Sequence, residues 1–147
     1  MEQKVYENLL KCVKILVEND FNYPGNGIQS KHMLHEKEFY KNKFNLIINR
    51  KGRERSDCLS YLMFSESKGI LVRLDMTGPP HTDRYGIDID TPHVHIFDEE
   101  HNDGKFVEPL ATITDKNIKG ELIESLVVFF KYLNIDLTDI IIMGGLN

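Results

Sequence analysis

The chain has 147 residues, 41% of them hydrophobic and 28% charged, which are ordinary values for one globular domain and exclude a largely disordered protein. The formal net charge of −5 argues against a surface that coats nucleic acid, because such binding depends on basic side chains at many phosphates. No segment resembles a signal peptide or reaches the length of a membrane span, so we expect one cytoplasmic domain over residues 1–147 without membrane contact, in which Cys12 and Cys58 are reduced thiols.

The first third of the chain predicts one helix followed by irregular structure. Apolar residues recur at spacings of three and four over residues 2–19, which is typical of an amphipathic helix. Residues 19–27 are dense in turn formers and should end that helix. Residues 28–42 are polar and lack a clean period, so we predict a loop or a short irregular helix there.

The middle of the chain predicts a meander of antiparallel strands. Apolar and polar residues alternate, or apolar residues cluster, in short runs that are separated by turn formers. The predicted strands cover residues 44–49, 59–64, 70–75 and 93–97, with a possible fifth at 105–107. Short connections favour antiparallel neighbours, apart from the long Gly- and Pro-containing loop at 76–91.

The C-terminal part predicts a second helix. Asp115 is a candidate N-cap, and an apolar face runs from Ile118 to Leu133. The tail at 136–147 is apolar at 140–143 and could add an edge strand. The predicted fold class is α+β: an N-terminal helix, a four- or five-stranded antiparallel meander sheet and a C-terminal helix, with both helices on one face.

The segment from 73 to 97 holds the residues with chemical potential. Side chains two positions apart on a strand share a face, so His93 and His95 form one pair and Arg73 and Asp75 another. If the two strands are antiparallel neighbours, one register places both pairs side by side. His81 follows two prolines and could fold back over the same surface. The residues of the opposite face, which should point into the core, are Val72, Leu74, Val94 and Ile96.

Two chemistries suit this set of side chains. The simpler interpretation is that His93 and His95 are half-exposed histidines without a chemical role. In one, His93, His95 and either His81 or Asp75 bind a divalent metal such as zinc, with one position left for water. In the other, no metal is required. One histidine takes a proton from a ribose 2′-hydroxyl, another donates a proton to the leaving oxygen, Arg73 stabilises the charged phosphorane, and Asp75 orients an imidazole.

A basic turn could supply phosphate contacts to an RNA substrate. Its basic residues are Arg50, Lys51, Arg53 and Arg55, which in the simpler interpretation only face solvent. Tyr61 lies on a central predicted strand, where we expect a core position with a satisfied hydroxyl.

The segment also carries a resemblance. The pattern R-x-D-x-x-G-x-P-H, followed by P-H-x-H-I-aromatic, resembles an uncharacterised bacterial family found in prophages and other mobile elements. That family often has tyrosine where this chain has Phe97, and an Asn-Pro-Asp-Gly loop where this chain has residues 82–86. The matching positions are Arg73, Asp75, Gly78, Pro80, His81, Pro92, His93, His95, Ile96 and Phe97.

A second resemblance concerns the order of the elements. A strand with tyrosine, a strand with arginine and aspartate, a loop and a closing His-x-His strand are similar to TumE, a toxin family of bacterial toxin–antitoxin modules. This resemblance implies a small growth-inhibiting protein with RNA as its candidate target and a cognate antitoxin as its partner. The matching positions are Tyr61, Arg73, Asp75, His93 and His95.

Three functional hypotheses follow. The leading one is a toxin-like protein of a mobile element that cleaves RNA with Arg73, Asp75, His81, His93 and His95, needs no cofactor, and holds its substrate with the basic turn and Tyr61. The second is a non-enzymatic mobile-element protein that binds and inhibits a host defence factor, since an acidic surface can compete with nucleic acid for a basic groove. The third is a metal-dependent enzyme that acts on a small phosphorylated substrate.

Overall fold

A computed structural model describes residues 1–38, 41–52, 58–118 and 122–144. The described residues form the helices α1 (Gln3–Lys11) and α2 (Leu122–Tyr132), a 3₁₀ turn at Leu110–Thr112, and twelve strands. The strands are β1 (Lys14–Leu16), β2 (Asp20–Tyr23), β3 (Gln29–Glu36), β4 (Lys43–Asn49), β5 (Ser60–Ser65), β6 (Gly69–Asp75), β7 (His81–Thr82), β8 (Asp88–Ile89), β9 (His93–Ile96), β10 (Val107–Pro109), β11 (Ile135–Asp136) and β12 (Ile141–Gly144).

Eight of the described strands form one sheet in the order β10-β9-β6-β5-β4-β3-β1-β11. All neighbours in it are antiparallel except β1 and β11, which are parallel. Two small sheets accompany it: the parallel pair β12–β2 and the hairpin β7–β8. The α+β class and the predicted antiparallel order β4, β5, β6 and β9 are therefore confirmed, but the predicted count of four or five strands is too low.

The N-terminal helix is shorter than predicted. α1 ends at Lys11, and the chain continues as β1 instead of remaining helical to residue 19. The apolar spacing of this segment fits a helix and a strand equally well, and pairing with β3 on one side and β11 on the other selects the strand. The buried Lys14 ammonium donates to the carbonyls of Leu10, Cys12 and Leu133 at 3.1, 3.0 and 2.7 Å, so it joins the end of α1 to the end of α2.

Two further segments differ from prediction because their hydrophobic signal is weak. Residues 28–42 were expected to be a loop or irregular helix, yet they contain β3, which lies between β1 and β4 in the sheet. Only one of its residues, Leu34, is buried, so sheet pairing and not apolar content holds this strand. Within the expected turn at 19–27, β2 alternates between exposed and buried residues and pairs with β12.

The C-terminal half follows the prediction in part. Residues 115–118 are not helical, so Asp115 is not an N-cap, and the described helix is α2 with Leu126, Phe129 and Phe130 buried. The edge strand expected in the tail is present as β12. No helix in the described part of the chain is long and apolar enough to cross a membrane.

The two faces of the large sheet differ in character. One face is apolar and, together with residues of both helices, forms a single core cluster. On that face Tyr61 stacks on Phe129 of α2, with ring centroids 5.5 Å apart. Its cross-strand neighbour is Leu74, which in turn pairs with Val94. Because successive residues of a strand alternate, Arg73, Asp75 and the two β9 histidines belong to the opposite face, away from the helices.

Lys14 should make stability depend on pH. Burial lowers the pKa of Lys14 from 10.5 to about 8, so between these values the unfolded chain binds a proton that the folded chain does not. In the wild type relative to Lys14→Met, the free energy of unfolding should therefore rise by about 2 kcal/mol between pH 8 and pH 10. Burial also raises the pKa of Cys12 and of buried tyrosines such as Tyr61, which opposes this rise in both proteins. Urea denaturation at both pH values therefore measures the Lys14 effect as the difference between the two proteins.

Lys43→Met, at an exposed position of β4, is the control and should keep the pH dependence of the wild type. The range stops at pH 10 because the opposing effect of the buried tyrosines, whose protons the unfolded chain loses first, grows steeply above that pH. The same pH dependence in Lys14→Met and in the wild type would contradict the assignment to Lys14.

Candidate functional site

The pairing of β6 with β9 places the predicted site residues side by side. Arg73 lies opposite His95, and Asp75 lies opposite His93. The sequence did not specify the register, and this is the one that places both pairs side by side. The residues between them, Val72, Leu74, Val94 and Ile96, are buried in the core, as predicted.

His81 closes the site from above the sheet. It begins β7, and pairing of His81 with Ile89 in β8 turns the loop back toward β9. The His81 ring centroid lies 5.1 Å from that of His93 and 5.0 Å from that of His95. The expectation that His81 folds back over the strand pair is confirmed.

Asp75, His81, His93 and His95 together form what we call the histidine cluster. One donor atom from each of the four lies within 4.8 Å of all the others, so the cluster could hold a metal ion. The His93 and His95 centroids are 5.1 Å apart, and the three rings are nearly perpendicular to one another, at 75–79°.

These spacings match a tetrahedral metal centre. Zinc bound to imidazole nitrogens at about 2.0–2.1 Å would hold ring centroids about 5.2 Å apart and donor atoms about 3.3 Å apart. The three centroid separations in the cluster are 5.0–5.1 Å. Oδ2 of Asp75 lies 3.3 Å from Nε2 of His93 and 3.1 Å from Nε2 of His95. Both measures fit without rearrangement of the two strands.

Backbone carbonyls fix the orientation of the two strand histidines. Nδ1 of His93 lies 3.0 Å from the carbonyl of Ile89, and Nδ1 of His95 lies 2.8 Å from the carbonyl of Gly104. A carbonyl only accepts, so each Nδ1 carries the hydrogen and donates it. Each Nε2 then faces the centre of the cluster, as in metal sites where a second hydrogen bond sets the tautomer.

Nε2 of His93 and Nε2 of His95 both lie next to the Asp75 carboxylate, so a positive charge between these atoms would be stabilised. For His95, Nη2 of Arg73 donates to Nε2 at 3.0 Å and to Oδ2 of Asp75 at 3.1 Å. Among the described residues, His93 has no such donor at Nε2. Its contact with Asp75 therefore joins two acceptors unless the buried ring takes a second proton or a cation lies between them.

Electrostatics keep the cluster in a metal-binding protonation state. Burial alone raises the pKa of Asp75, but its contacts with His93 and His95 and the charge of Arg73 outweigh burial and hold the pKa well below its usual range. Burial, followed by the charge effect of the other two histidines, lowers the pKa of His81. At neutral pH the cluster thus offers one carboxylate and a neutral His81 imidazole.

The cluster opens onto a groove of about 260 Å³. Arg73, Asp75 and His81 line one side, and Lys51, from the predicted basic turn, lines the other. Sequence reasoning missed the neutral part of this lining because these residue types carry no distinctive pattern. These neutral residues are Asn49, Cys58, Leu59, Ser60, Thr77, Gly78 and Pro79.

Arg50 and Tyr61, two of the remaining predicted substrate-binding residues, lie away from the cluster. The Arg50 guanidinium is buried, donates to the carbonyl of Pro24 at 2.7 Å and lies 5.7 Å from the centroid of the Tyr23 ring. Tyr61 is fully buried on the helix-covered face, where its hydroxyl contacts Tyr23, Ser125 and the Leu122 carbonyl, so the expected core position is confirmed and substrate contact is not possible there. Arg53 and Arg55 lie outside the described residues.

The loop at 98–106 contacts His95 through one of its backbone carbonyls. Within the loop, Nδ1 of His101 lies 2.6 Å from Asp98, and Nε2 of His101 lies 3.0 Å from Glu108. Asp98, Glu100 and His101 also bring donor atoms within 4.8 Å, but both His101 nitrogens are engaged in these hydrogen bonds. The loop therefore acts as a brace that presents the Gly104 carbonyl to His95.

Replacing Gly104 should disturb this brace. A Cβ at Gly104 would lie 2.6 Å from the Phe97 ring, whereas a Cβ at Gly27 meets nothing within 4 Å. The two glycines have similar φ angles, +83° and +79°, so backbone strain is matched. We expect Gly104→Ala to lower the free energy of unfolding by about 2 kcal/mol more than Gly27→Ala, measured by urea denaturation. Equal losses would show that the Phe97 contact is unimportant.

Comparison with known proteins identifies a family. Residues 1–135 match a family of unknown function (DUF6978), a range that includes the whole histidine cluster. No curated protein and no solved structure matches the chain. The match provides no link to prophage proteins or to TumE toxins, so those resemblances stay predictions. The chain belongs to the family of unknown function DUF6978.

Proposed function

We propose that this protein is a metal-dependent hydrolase with a single zinc ion in the histidine cluster. The observation that carries the proposal is the spacing of the three imidazole rings, whose centroids are 5.0–5.1 Å apart and close to the value for three histidines on one tetrahedral metal. Imidazole-rich sites favour zinc among the common divalent ions of cells.

Each ligand has a defined role in this proposal. His93 and His95 bind through Nε2 from a central strand, and Asp75 binds through Oδ2 from the strand beside it. His81 completes the set from the hairpin. The second Asp75 oxygen, Oδ1, accepts from Nε of Arg73 at 3.0 Å, which keeps the carboxylate oriented when Oδ2 binds the metal. Metal binding at Oδ2 of Asp75 and at Nε2 of His95 would displace Nη2 of Arg73, which donates to both atoms.

Access to the cluster favours catalysis over a purely structural metal. A structural zinc site is closed by its four ligands, whereas this cluster is continuous with the groove at Asp75 and His81. A zinc ion held there would lower the pKa of a water that enters from the groove. In the hydrolysis of a phosphate ester, a bond from the water oxygen to phosphorus would form as the bond from phosphorus to the ester oxygen breaks, and that ester oxygen would take up the proton that the water released.

The metal-free ribonuclease stays a prediction but is less well supported by this geometry. It needs one histidine as base and one as acid, each in contact with the substrate. His93 and His95 are 0% and 5% exposed, and both nitrogens of each ring are already in contact with a carbonyl or with Asp75. Inhibition of a host defence factor also stays a prediction, because it depends on partners that geometry does not address.

The first test is metal content. Protein purified without chelators and analysed by inductively coupled plasma mass spectrometry should hold about one zinc per chain. His93→Ala/His95→Ala should hold almost none, because half of the donor set is lost. His35→Ala, a histidine on β3 outside the cluster, should retain the metal.

The second test is hydrolysis. The zinc-loaded protein should hydrolyse bis-p-nitrophenyl phosphate or p-nitrophenyl phosphate, lose the activity with EDTA and recover it with zinc. Zinc retained without hydrolysis of any ester would leave a structural metal site and overturn the enzyme proposal. RNA cleavage that resists EDTA would instead favour the metal-free ribonuclease.

A further inference from the structure

We infer that the groove beside the histidine cluster binds the phosphate group of a small phosphorylated substrate, held between Lys51 and Arg73. This inference rests on the proposed hydrolase function, for which it names the substrate class. It depends on the charge, the position and the size of the groove.

The groove is locally basic in an acidic protein. Its described lining contains two cationic side chains, Lys51 and Arg73, and one carboxylate, that of Asp75. Arg73 and Asp75 form an ion pair, with Nε and Oδ1 3.0 Å apart, so two cations less one carboxylate leave the described lining with a net charge of +1. A zinc ion would add further positive charge. Against a formal net charge of −5 for the whole chain, this groove is therefore a place where an anion gains attraction.

The strand register sets how far Lys51 lies from the cluster. Asn49 pairs with Ser60, Ser60 with Asp75, and Asp75 with His93, so the four residues form one row across four neighbouring strands. Adjacent strands are about 4.8 Å apart, which puts Asn49 about 10 Å from Asp75. Ser60 lies between them and provides a small neutral floor.

Lys51 is placed at the end of this row. Its backbone N–H donates to Oδ1 of Asn49 at 2.9 Å, which fixes the turn after β4, while its side chain is exposed. A phosphate above Ser60 would have Lys51 on one side and Arg73 on the other. Nε and Nη2 of Arg73 donate to Asp75 and His95, so a phosphate would meet Arg73 through Nη1, or through Nη1 and Nη2 once zinc has displaced Nη2 from these atoms. Lysine supplies a point charge. The phosphorus would then lie next to the metal-bound water at Asp75 and His81.

The size and charge of the groove favour a small substrate. Its volume of about 260 Å³ accommodates a phosphate and a short organic group. Polynucleotide binding requires many phosphate contacts, which the net charge of −5 opposes. A phosphorylated metabolite-sized compound therefore fits better than RNA.

The test uses inorganic phosphate as the probe. Isothermal titration calorimetry of the zinc-loaded protein should give a dissociation constant that rises about tenfold in Lys51→Ala and recovers in Lys51→Arg. Lys43→Ala, which removes a lysine from the other end of β4, should leave the affinity unchanged. With p-nitrophenyl phosphate, Lys51→Ala should raise KM with little change in kcat, because Lys51 contacts the phosphate away from the metal.

Zinc content is measured on the same samples, so the two proposals fail separately. Zinc binding with a phosphate affinity that is equal in wild type and Lys51→Ala would overturn the anion site alone. Phosphate binding that depends on Lys51 in a protein without zinc would overturn the hydrolase and leave the anion site. Tighter binding of an RNA oligonucleotide than of a mononucleotide or sugar phosphate would overturn the assignment to small substrates.

Discussion

The pairing of β6 with β9 is the interaction on which the site depends. It aligns Arg73 with His95 and Asp75 with His93 while turning the intervening residues into the core. A shift of one residue in either strand would move its polar pair into the apolar face and its core residues into the groove. Leu74 and Val94 are fully buried. Because their burial fixes the register of the two strands, it also fixes the relative positions of the cluster side chains.

Sequence patterns predicted the strands that are rich in buried apolar residues and bounded by turn formers. These strands are β4, β5, β6 and β9, and their predicted bounds agree with the structure within one residue at each end. β1 and β3 were missed for two different reasons. β1 has an apolar spacing that also suits a helix, and β3 buries only Leu34, so its place in the sheet is set by hydrogen bonds to neighbours that no local pattern reveals.

The side chains of the site could be predicted from the sequence, but the backbone groups that orient them could not. The period of two along a strand predicts that His93 and His95 share one face and that Arg73 and Asp75 share another. The carbonyls of Ile89 and Gly104, which orient the two histidines, have no side-chain signature. Charge alone likewise could not separate Arg50, which is buried against Tyr23, from its neighbour Lys51, which faces the groove.

The four donors of the histidine cluster all lie between residues 75 and 95, within one strand, one loop and the next strand. Bringing them together closes only short loops, and the entropic cost of loop closure grows slowly with length from a small starting value. An ion bound there would cross-link the hairpin β7–β8 to the centre of the sheet, although the described hairpin itself is held by only two residue pairs. The metal would then order the loop that contains the β7–β8 hairpin. Local unfolding of this loop would in turn be coupled to metal release.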